Sequence, residues 1–431
     1  MKTFLSAIQW MAFMIAGSIA APIAIADLFH LNPVETSAFM QRTIFVLGIA
    51  GLLQGFIGHR LPVSEGPAGL WWSVFAIYAG FVGSMYSTGI AALNALCGGM
   101  IFSGIVFFIL SALGLIEKLA KLFTPTITFI YLFLLILQLS GSFVKGMLGL
   151  TEEQVHIQPT VAILCIVIIL VTFYLGKVNI QWVQQFSIIF GLLLGWILFI
   201  IFGLAPKVPE SHSIFAFPKL FHFGKPTFDS GVLTTSFFIT ILLTTNMIAS
   251  IRVMEEVLKG YHNKPVSYKR SGFISGLNQI LGGIFSAIGS VPISGSAGFV
   301  AQTGIKSIKP FIIGGILVTV ISLLPPLMHI MSALPAPVGY AVTFVIFTKM
   351  IGLALSEIEK STDRDITYTT AGIALMVGVG TMFLPSEATV KLPTFIGSLV
   401  NNGLVLGTII AIGSEQYLRW QKKRKSASIS R

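Results

Sequence analysis

The chain has 431 residues, of which 55% are hydrophobic and only 10% charged, with a mean hydropathy of +0.89. So few ionisable side chains cannot clothe a soluble surface of this size, which excludes a soluble enzyme or binding domain and predicts a polytopic membrane protein. The formal charge of +11 does not point to nucleic acid, because the basic residues sit in connectors between apolar runs instead of on one face.

A membrane-crossing helix needs about 20 mainly apolar residues, and the sequence predicts fourteen such segments, at 5–26, 38–58, 63–82, 89–113, 124–144, 160–176, 186–204, 231–250, 273–290, 293–307, 310–330, 335–355, 367–384 and 394–415. The apolar run after Lys2 is the first span, not a signal peptide, since no small-residue cleavage site precedes a polar chain. The third opens on Leu61-Pro62-Val63-Ser64-Glu65-Gly66-Pro67-Ala68-Gly69-Leu70, where Pro62 cannot continue a helix and Gly66-Pro67 suits the start of a new one, with Ser64 or Glu65 near its N-cap. Glu65 is the most informative ionisable residue, because carboxylates within spans are costly unless paired, hydrated or functional. Cys97 and Cys165 lie in apolar runs without CxxC spacing, so neither disulfide nor zinc is expected. The seven histidines have no metal-ligand spacing and read as solvated connector residues.

In the eighth span, Asn246 offers a donor and an acceptor at depth, which suits the edge of a planar heterocycle. Asn94, Gln138, Asn278, Gln279 and Asn402 read as interhelical glue, and Lys349 as a snorkelling residue. The tenth span opens on Val291-Pro292-Ile293-Ser294-Gly295-Ser296-Ala297-Gly298-Phe299-Val300, a near repeat of residues 61–70. Here Pro292 interrupts, Ser294 or Ser296 caps, and Gly298 lets the backbone approach a neighbour. Proline and glycine at membrane depth free peptide groups that must face protein, ion or solute, and matched breaks in two halves point to a transporter's binding site. The short extended pieces are expected to lie antiparallel, bringing two helix N-termini to one cavity lined by Ser64, Glu65, Gly66, Gly295, Ser296, Ala297 and Gly298.

With the amino terminus inside, 21 of the 27 Lys and Arg fall on the inner side; Arg42, Lys145, Lys207, Lys219, Lys225 and Lys391 fall outside. The positive-inside rule then sets both termini in the cytoplasm of a multi-pass cell-membrane protein, with the tail from Arg419 to Lys425 as an orientation anchor. The polar connector from Ala205 to Ser230 divides the spans seven and seven, and an odd count per half makes the halves inverted repeats, residues 1–205 and 206–431.

Gly58-His59-Arg60-Leu61-Pro62-Val63, the run from Ser271-Gly272 through Gly283 and Gly289, Gly298 with Thr303-Gly304, and Leu406-Gly407-Thr408 occur in order and at spacings that resemble the nucleobase/ascorbate transporter family, the nucleobase–cation symporters that include xanthine and uracil permeases. The resemblance implies an all-α fold of fourteen segments in two inverted sevens. It implies a core of spans 1–4 and 8–11, a gate of spans 5–7 and 12–14, and a homodimer formed through the gates. Two positions depart from the family pattern: Asn246 stands where span eight usually carries an acid, and Gly295-Ser296 where span ten usually begins with Glu or Gln and then Asn. Glu65 aligns with Gly295 in the internal repeat, so the carboxylate is expected to have moved from one half-helix to the other across one cavity, as substrate ligand and coupling site.

Three functions are weighed. The first is import of a nucleobase, purine before uracil, by symport with H⁺ or Na⁺ through alternating access, with Trp71 or Phe299 available to stack on the base. The second is an anion transporter for sulfate or a carboxylate on the same fold, using the helix N-termini. The third, a membrane enzyme or sensor, lacks any nucleophile–base pair, HExxH, metal cluster or P-loop, so no enzyme, metal or cofactor is expected.

Overall fold

The computed structural model describes every residue except 1, 151–153, 181–182, 185, 211–212, 262–264, 390–391 and 430–431. Lys264, Lys391 and Arg431, used above for orientation, therefore lie outside the described residues.

A chain this apolar can satisfy its peptide groups within a bilayer only in helices or closed sheets, and helices prevail. The first half holds α1 (Lys2–Ala16), α2 (Ala20–Leu28), α3 (Pro33–Phe56), strand β1 (Glu65–Pro67), α4 (Gly69–Ala79), α5 (Gly89–Ala112), α6 (Ile116–Ala120), α7 (Pro125–Met147), α8 (Pro159–Leu175) and α9 (Ser187–Ile201). The second holds α10 (Ser230–Val257), α11 (Tyr268–Ile284), strand β2 (Ser290–Pro292), α12 (Gly295–Thr303), α13 (Ile308–Ser322), α14 (Pro325–Ser332), α15 (Ala336–Glu359), α16 (Arg364–Met382), α17 (Thr394–Val400) and α18 (Gly403–Ile429). Polar N-caps start several of them: Asn32 closes a reciprocal capping box with Glu35 on α3, and Thr88, Thr124, Asp229 and Ser267 cap α5, α7, α10 and α11.

Each of the fourteen apolar segments falls on one of these helices or on a broken pair. By length and composition, six helical stretches of the described residues can cross a membrane, counting α1 and α2 together as one, or seven if the bent pair α13–α14 also counts as one, and α4, α8 and α9 are shorter and apolar. The chain is a multi-pass membrane protein. Breaks are more numerous than the two expected. Gly17-Ser18-Ile19 separates α1 from α2, the chain turns by 88° between α13 and α14 ahead of Pro325-Pro326, and Asn401-Asn402 separates α17 from α18. The last helix also runs well past the expected end at 415, because its polar tail remains helical to residue 429. Proline and capping chemistry, which do not lower mean hydropathy, cause the latter two breaks: Asn402 Oδ1 accepts the Val405 N–H at 3.0 Å.

Two sets of helices pack among themselves. In one, α5 lies along α11 and α10, and α13 along α1 and α3; in the other, α7 packs on α15, α16 and α18, and α8 on α9 and α15. Further contacts join the sets, α2 to α15, α10 to α17 and α4 to α7.

Burial corrects one sequence assignment, that of His59, and adds one finding: Arg42, counted on the outer side, is 1% exposed. Its Nε donates to the Ser286 carbonyl at 3.2 Å, past the C-terminus of α11, and its guanidinium lies 5.0 Å from the Phe223 ring centre, so the cation faces the negative end of a helix dipole and a π-face. His59, grouped with solvated histidines, is 1% exposed. It shapes the turn that leads out of α3: its Nδ1 accepts the Leu61 N–H at 3.0 Å, Arg60 takes a left-handed φ of 60°, and a Cβ on Gly58 would come within 1.9 Å of Gln54 Oε1. The Gly58-His59-Arg60 motif is thus a turn that delivers the chain to β1. Cys97 and Cys165 are free and buried.

Candidate functional site

The two interrupted segments meet. β1 and β2 pair antiparallel, with Glu65 opposite Pro292, Gly66 opposite Val291 and Pro67 opposite Ser290. The ladder extends at both ends, Ile293 N–H donating to Ser64 O and Ala68 N–H to Gly289 O, each at 2.9 Å. Since each strand runs into a helix and the strands are antiparallel, α4 and α12 leave the pair in opposite directions with their N-termini facing across it.

Of the two helix starts, α12 begins after Ser294, one of the two expected N-cap positions, whereas α4 begins later than expected. Gly66-Pro67 was expected to open a helix, but the ladder holds residues 64–68 extended and α4 begins at Gly69, with Ala68 as its N-cap. Proline has no N–H to lose, so Pro67 is tolerated in this two-stranded pair. Neither Ser64 nor Glu65 caps α4, and Ser294, the N-cap residue of α12, makes no side-chain cap bond. Neither N-terminus has a side-chain cap; at α12 the Ser296 and Ala297 N–H groups donate instead to the Ile293 and Ser294 carbonyls at 3.1 and 3.0 Å, so the start of α4 is the one that keeps first-turn N–H groups for a ligand.

Ser296 does not cap either. Its Oγ accepts the Ser64 N–H at 3.0 Å and lies 2.8 Å from Ser64 Oγ, and both serines are about 1% exposed or less. The pair binds β1 of one half to α12 of the other. Gly66 is sealed by contact, as a Cβ there would come within 2.1 Å of the Ile293 side chain, and Ala297 is 1% exposed. Gly295 and Gly298 lie on the opposite, exposed side of α12, and a Cβ on Gly298 would meet nothing within 4 Å.

Asn246 is half-buried on α10, which packs against β2 and α12. One turn further on, Ser250 Oγ donates to the Pro292 carbonyl at 2.8 Å, so the i, i+4 relation turns Asn246 towards the crossover. Ser250 was not singled out from sequence, although a second polar residue four positions after Asn246 was a usable signal.

Glu65 takes the other side. Side chains alternate along a strand, and with Ser64 turned to α12, Glu65 turns to α1, α3 and α13. There it lines a small cavity with Met14, Ser18, Leu47, Gly48, Gly51, Gly315 and Val318. Asn246 and Ser296 do not line that cavity. Glu65 is 3% exposed and its Oε1 has no hydrogen-bond partner among the described residues.

Other assignments resolve as packing. The Trp71 indole N–H donates to Gln279 Oε1 at 2.7 Å while Gln279 Nε2 donates to the Ser290 carbonyl at 2.6 Å, so Gln279 ties α4 to β2 and Trp71 is not free to stack on a ligand. Phe299 is buried against Trp10 and Phe13, with ring centres 4.5 and 4.7 Å away. Asn278 Nδ2 reaches the Ala50 carbonyl at 3.4 Å, and Lys349 is exposed. Among the described residues no His, Cys, Asp and Glu cluster could hold a metal.

A helical membrane protein with two interrupted helices paired through short strands has the architecture of known membrane transporters. The transmembrane domain of a cyanobacterial bicarbonate transporter, BicA, superposes with a TM-score of 0.63 over 96% of each chain at 12% identity. The murine anion transporter Slc26a9 in its inward-facing state superposes with a TM-score of 0.61, over 97% of this chain and 68% of that one, at 11% identity. At these identities the likeness shows the fold alone.

The sequence identifies the family. Residues 1–387 match the Permease family of xanthine/uracil permease type, and the chain belongs to it: it is a transporter, not an enzyme. Over 437 residues, covering 100% of this chain and 99% of the relative, it is 43% identical to the "Putative purine permease YwdJ" of Bacillus subtilis. It is 24% identical to the uric acid permease PucJ of the same organism over 98% of this chain and 94% of that one, and 24% identical to the uric acid transporter UacT of Escherichia coli over 95% and 85%.

Proposed function

We propose that the chain is a secondary active transporter that imports a nucleobase, a purine such as xanthine, hypoxanthine, guanine or urate in preference to uracil, by cation symport with alternating access. The observation that carries this reading is the full-length likeness to a purine permease, and the crossover is chemically suited to it. Uncapped N–H groups at the start of α4 match a ring carbonyl oxygen of an oxopurine. The Asn246 amide can donate to and accept from a heterocycle edge. Gly295 and Gly298 let a flat ring lie against backbone.

Glu65 is the coupling site, with H⁺ favoured over Na⁺. The fourteen segments form two inverted sevens, 1–205 and 206–431. The helix set built on α5, α11 and α13 is the core that carries the crossover, and the set built on α7, α15 and α18 is the gate, through which a homodimer forms. Both termini lie in the cytoplasm of a cell-membrane protein, where the exposed basic end of α18 meets the inner surface.

Uptake of radiolabelled xanthine, hypoxanthine, guanine, urate and uracil in cells lacking their own purine permeases tests the substrate class. Expression should raise uptake of at least one purine above uracil, and unlabelled purine should compete where sulfate and bicarbonate do not. Competition by the oxyanions with indifference to purines would replace this reading with anion transport.

A further inference from the structure

The cavity beside Glu65 is small and is walled by α1, α3 and α13, without Asn246. Its volume is about 10 Å³, the space of one water molecule. Most of its wall is apolar or glycine, from Met14, Leu47, Gly48, Gly51, Gly315 and Val318. Two polar side chains reach it. One is the Glu65 carboxylate, which has the Ser290 hydroxyl of β2 as an electrostatic neighbour and whose Oε1 is buried without a hydrogen bond of good geometry among the described residues. The other is Ser18, which is 4% exposed and stands in the break between α1 and α2; its Oγ donates to the Met14 carbonyl at 2.7 Å and so keeps lone pairs to accept a further bond. A buried carboxylate oxygen left bare costs more than one bonded to water, and a polar space of this size is where a buried water is held.

We propose that Glu65 and Ser18 hold a single water molecule in this cavity, forming a proton site that never touches the cargo and is felt at the cargo face only through the β1–β2 pairing. It rests on the proton-coupled reading of Glu65 given above. A proton arriving as hydronium at the water position passes to Glu65 Oε1, forming the O–H bond and leaving neutral water; release reverses the transfer. The link to the cargo face is short. Ser64, the residue before Glu65, holds α12 through its N–H and Oγ to Ser296 and holds β2 through its carbonyl to Ile293. A change in the charge or hydration of Glu65 is therefore one peptide away from the bonds that set the start of α12. Proton and solute occupy opposite faces of the same two strands, which makes the coupling conformational instead of a direct contact between carboxyl and base.

Gly51→Ala isolates the cavity. Gly51 lines the cavity, and a Cβ there would make only ordinary contacts, 3.7 Å to the Phe311 ring and 3.9 Å to Glu65 N, so the added methyl narrows the cavity without a clash. Uptake of the best-transported purine from the panel above would be measured from pH 5 to pH 8. At the wild-type half-maximal pH, uptake by Gly51→Ala should change by about threefold, the effect of removing one hydrogen bond from a buried group, while binding of the purine is unchanged. Ser18→Ala should shift the profile in the same direction. A pH profile identical to wild type in both variants, or a loss of purine binding in step with uptake, would overturn the inference. If wild-type uptake were itself indifferent to pH, the coupling reading would fail first, and the two failures are told apart by that control. Should neither variant fold, a cryo-EM map of the wild-type protein decides: density within about 2.6–3.2 Å of Glu65 Oε1 is expected, and a dry cavity contradicts the proposal.

Discussion

Glu65→Gln is expected to abolish uphill accumulation while leaving a folded protein that still equilibrates its substrate. Glutamine keeps the shape and can still hydrogen-bond in the cavity between α1, α3 and α13, but it cannot take up and release a proton. For a one-proton symporter, each pH unit of gradient is worth about 1.4 kcal/mol, or about tenfold accumulation. The wild type should therefore concentrate substrate about tenfold per unit of imposed gradient, and the variant should stop at equal concentrations on both sides. Unchanged accumulation at every pH would remove Glu65 from the mechanism. The carboxylate has no described ion-pair partner to explain its burial, and buried intramembrane acids are retained for function because their cost is otherwise uncompensated.

The second large effect separates folding from binding at two glycines of the same crossover. At Gly289 a Cβ would come within 2.3 Å of Trp71 Cδ1, 2.4 Å of its Nε1 and 2.6 Å of Gln279 Oε1. These neighbours cannot yield, because Trp71 is fully buried and Gln279 is held by bonds to Trp71 and to the Ser290 carbonyl. Gly289→Ala should cost about 1–3 kcal/mol by overpacking and unpair β1 from β2, seen as a lower unfolding temperature in detergent together with lost uptake. Gly298→Ala is the opposite case. A Cβ there meets nothing within 4 Å, and replacing a helix-interior glycine should stabilise by about 0.5–1 kcal/mol. The added methyl enters the exposed face of α12, so the expected result is equal or higher thermal stability with a raised KM. Equal thermal stability of the two variants would show that the strand pair is not the structural centre of the site.

The crossover was legible in the chain because its signals are local. Pro62 and Pro292 break helices wherever they fall, and the near repeat of residues 61–70 at 291–300 marks equivalent places in two halves. The pairing of two extended pieces follows from peptide groups that need partners at membrane depth. What could not be read is which side each residue takes. A one-residue change of strand register exchanges the two faces, and that register is set by contacts over more than 200 residues, such as Ser64 with Ser296 and Gly66 with Ile293. Glu65 was therefore placed beside Asn246, when alternation with Ser64 sends it to α1, α3 and α13.

The start of α4 was misplaced for a related reason. Gly66-Pro67 carries a strong local preference for opening a helix, but the long-range ladder from residue 64 to residue 68 overrides it. Arg42 and His59 carry the same lesson for charge. Their residue types suggest exposure, and only the Ser286 carbonyl, the Phe223 ring and the turn at Arg60 show why they are buried.

The most direct test of the account is uptake by purified protein in liposomes under an imposed proton gradient, an imposed sodium gradient, or neither, with radiolabelled xanthine, hypoxanthine, guanine, urate and uracil. The account predicts accumulation of a purine above its outside concentration when the outside is acidic, abolished by a protonophore. Mere equilibration under both gradients, or gradient-driven movement of sulfate or bicarbonate that purines do not inhibit, would contradict it.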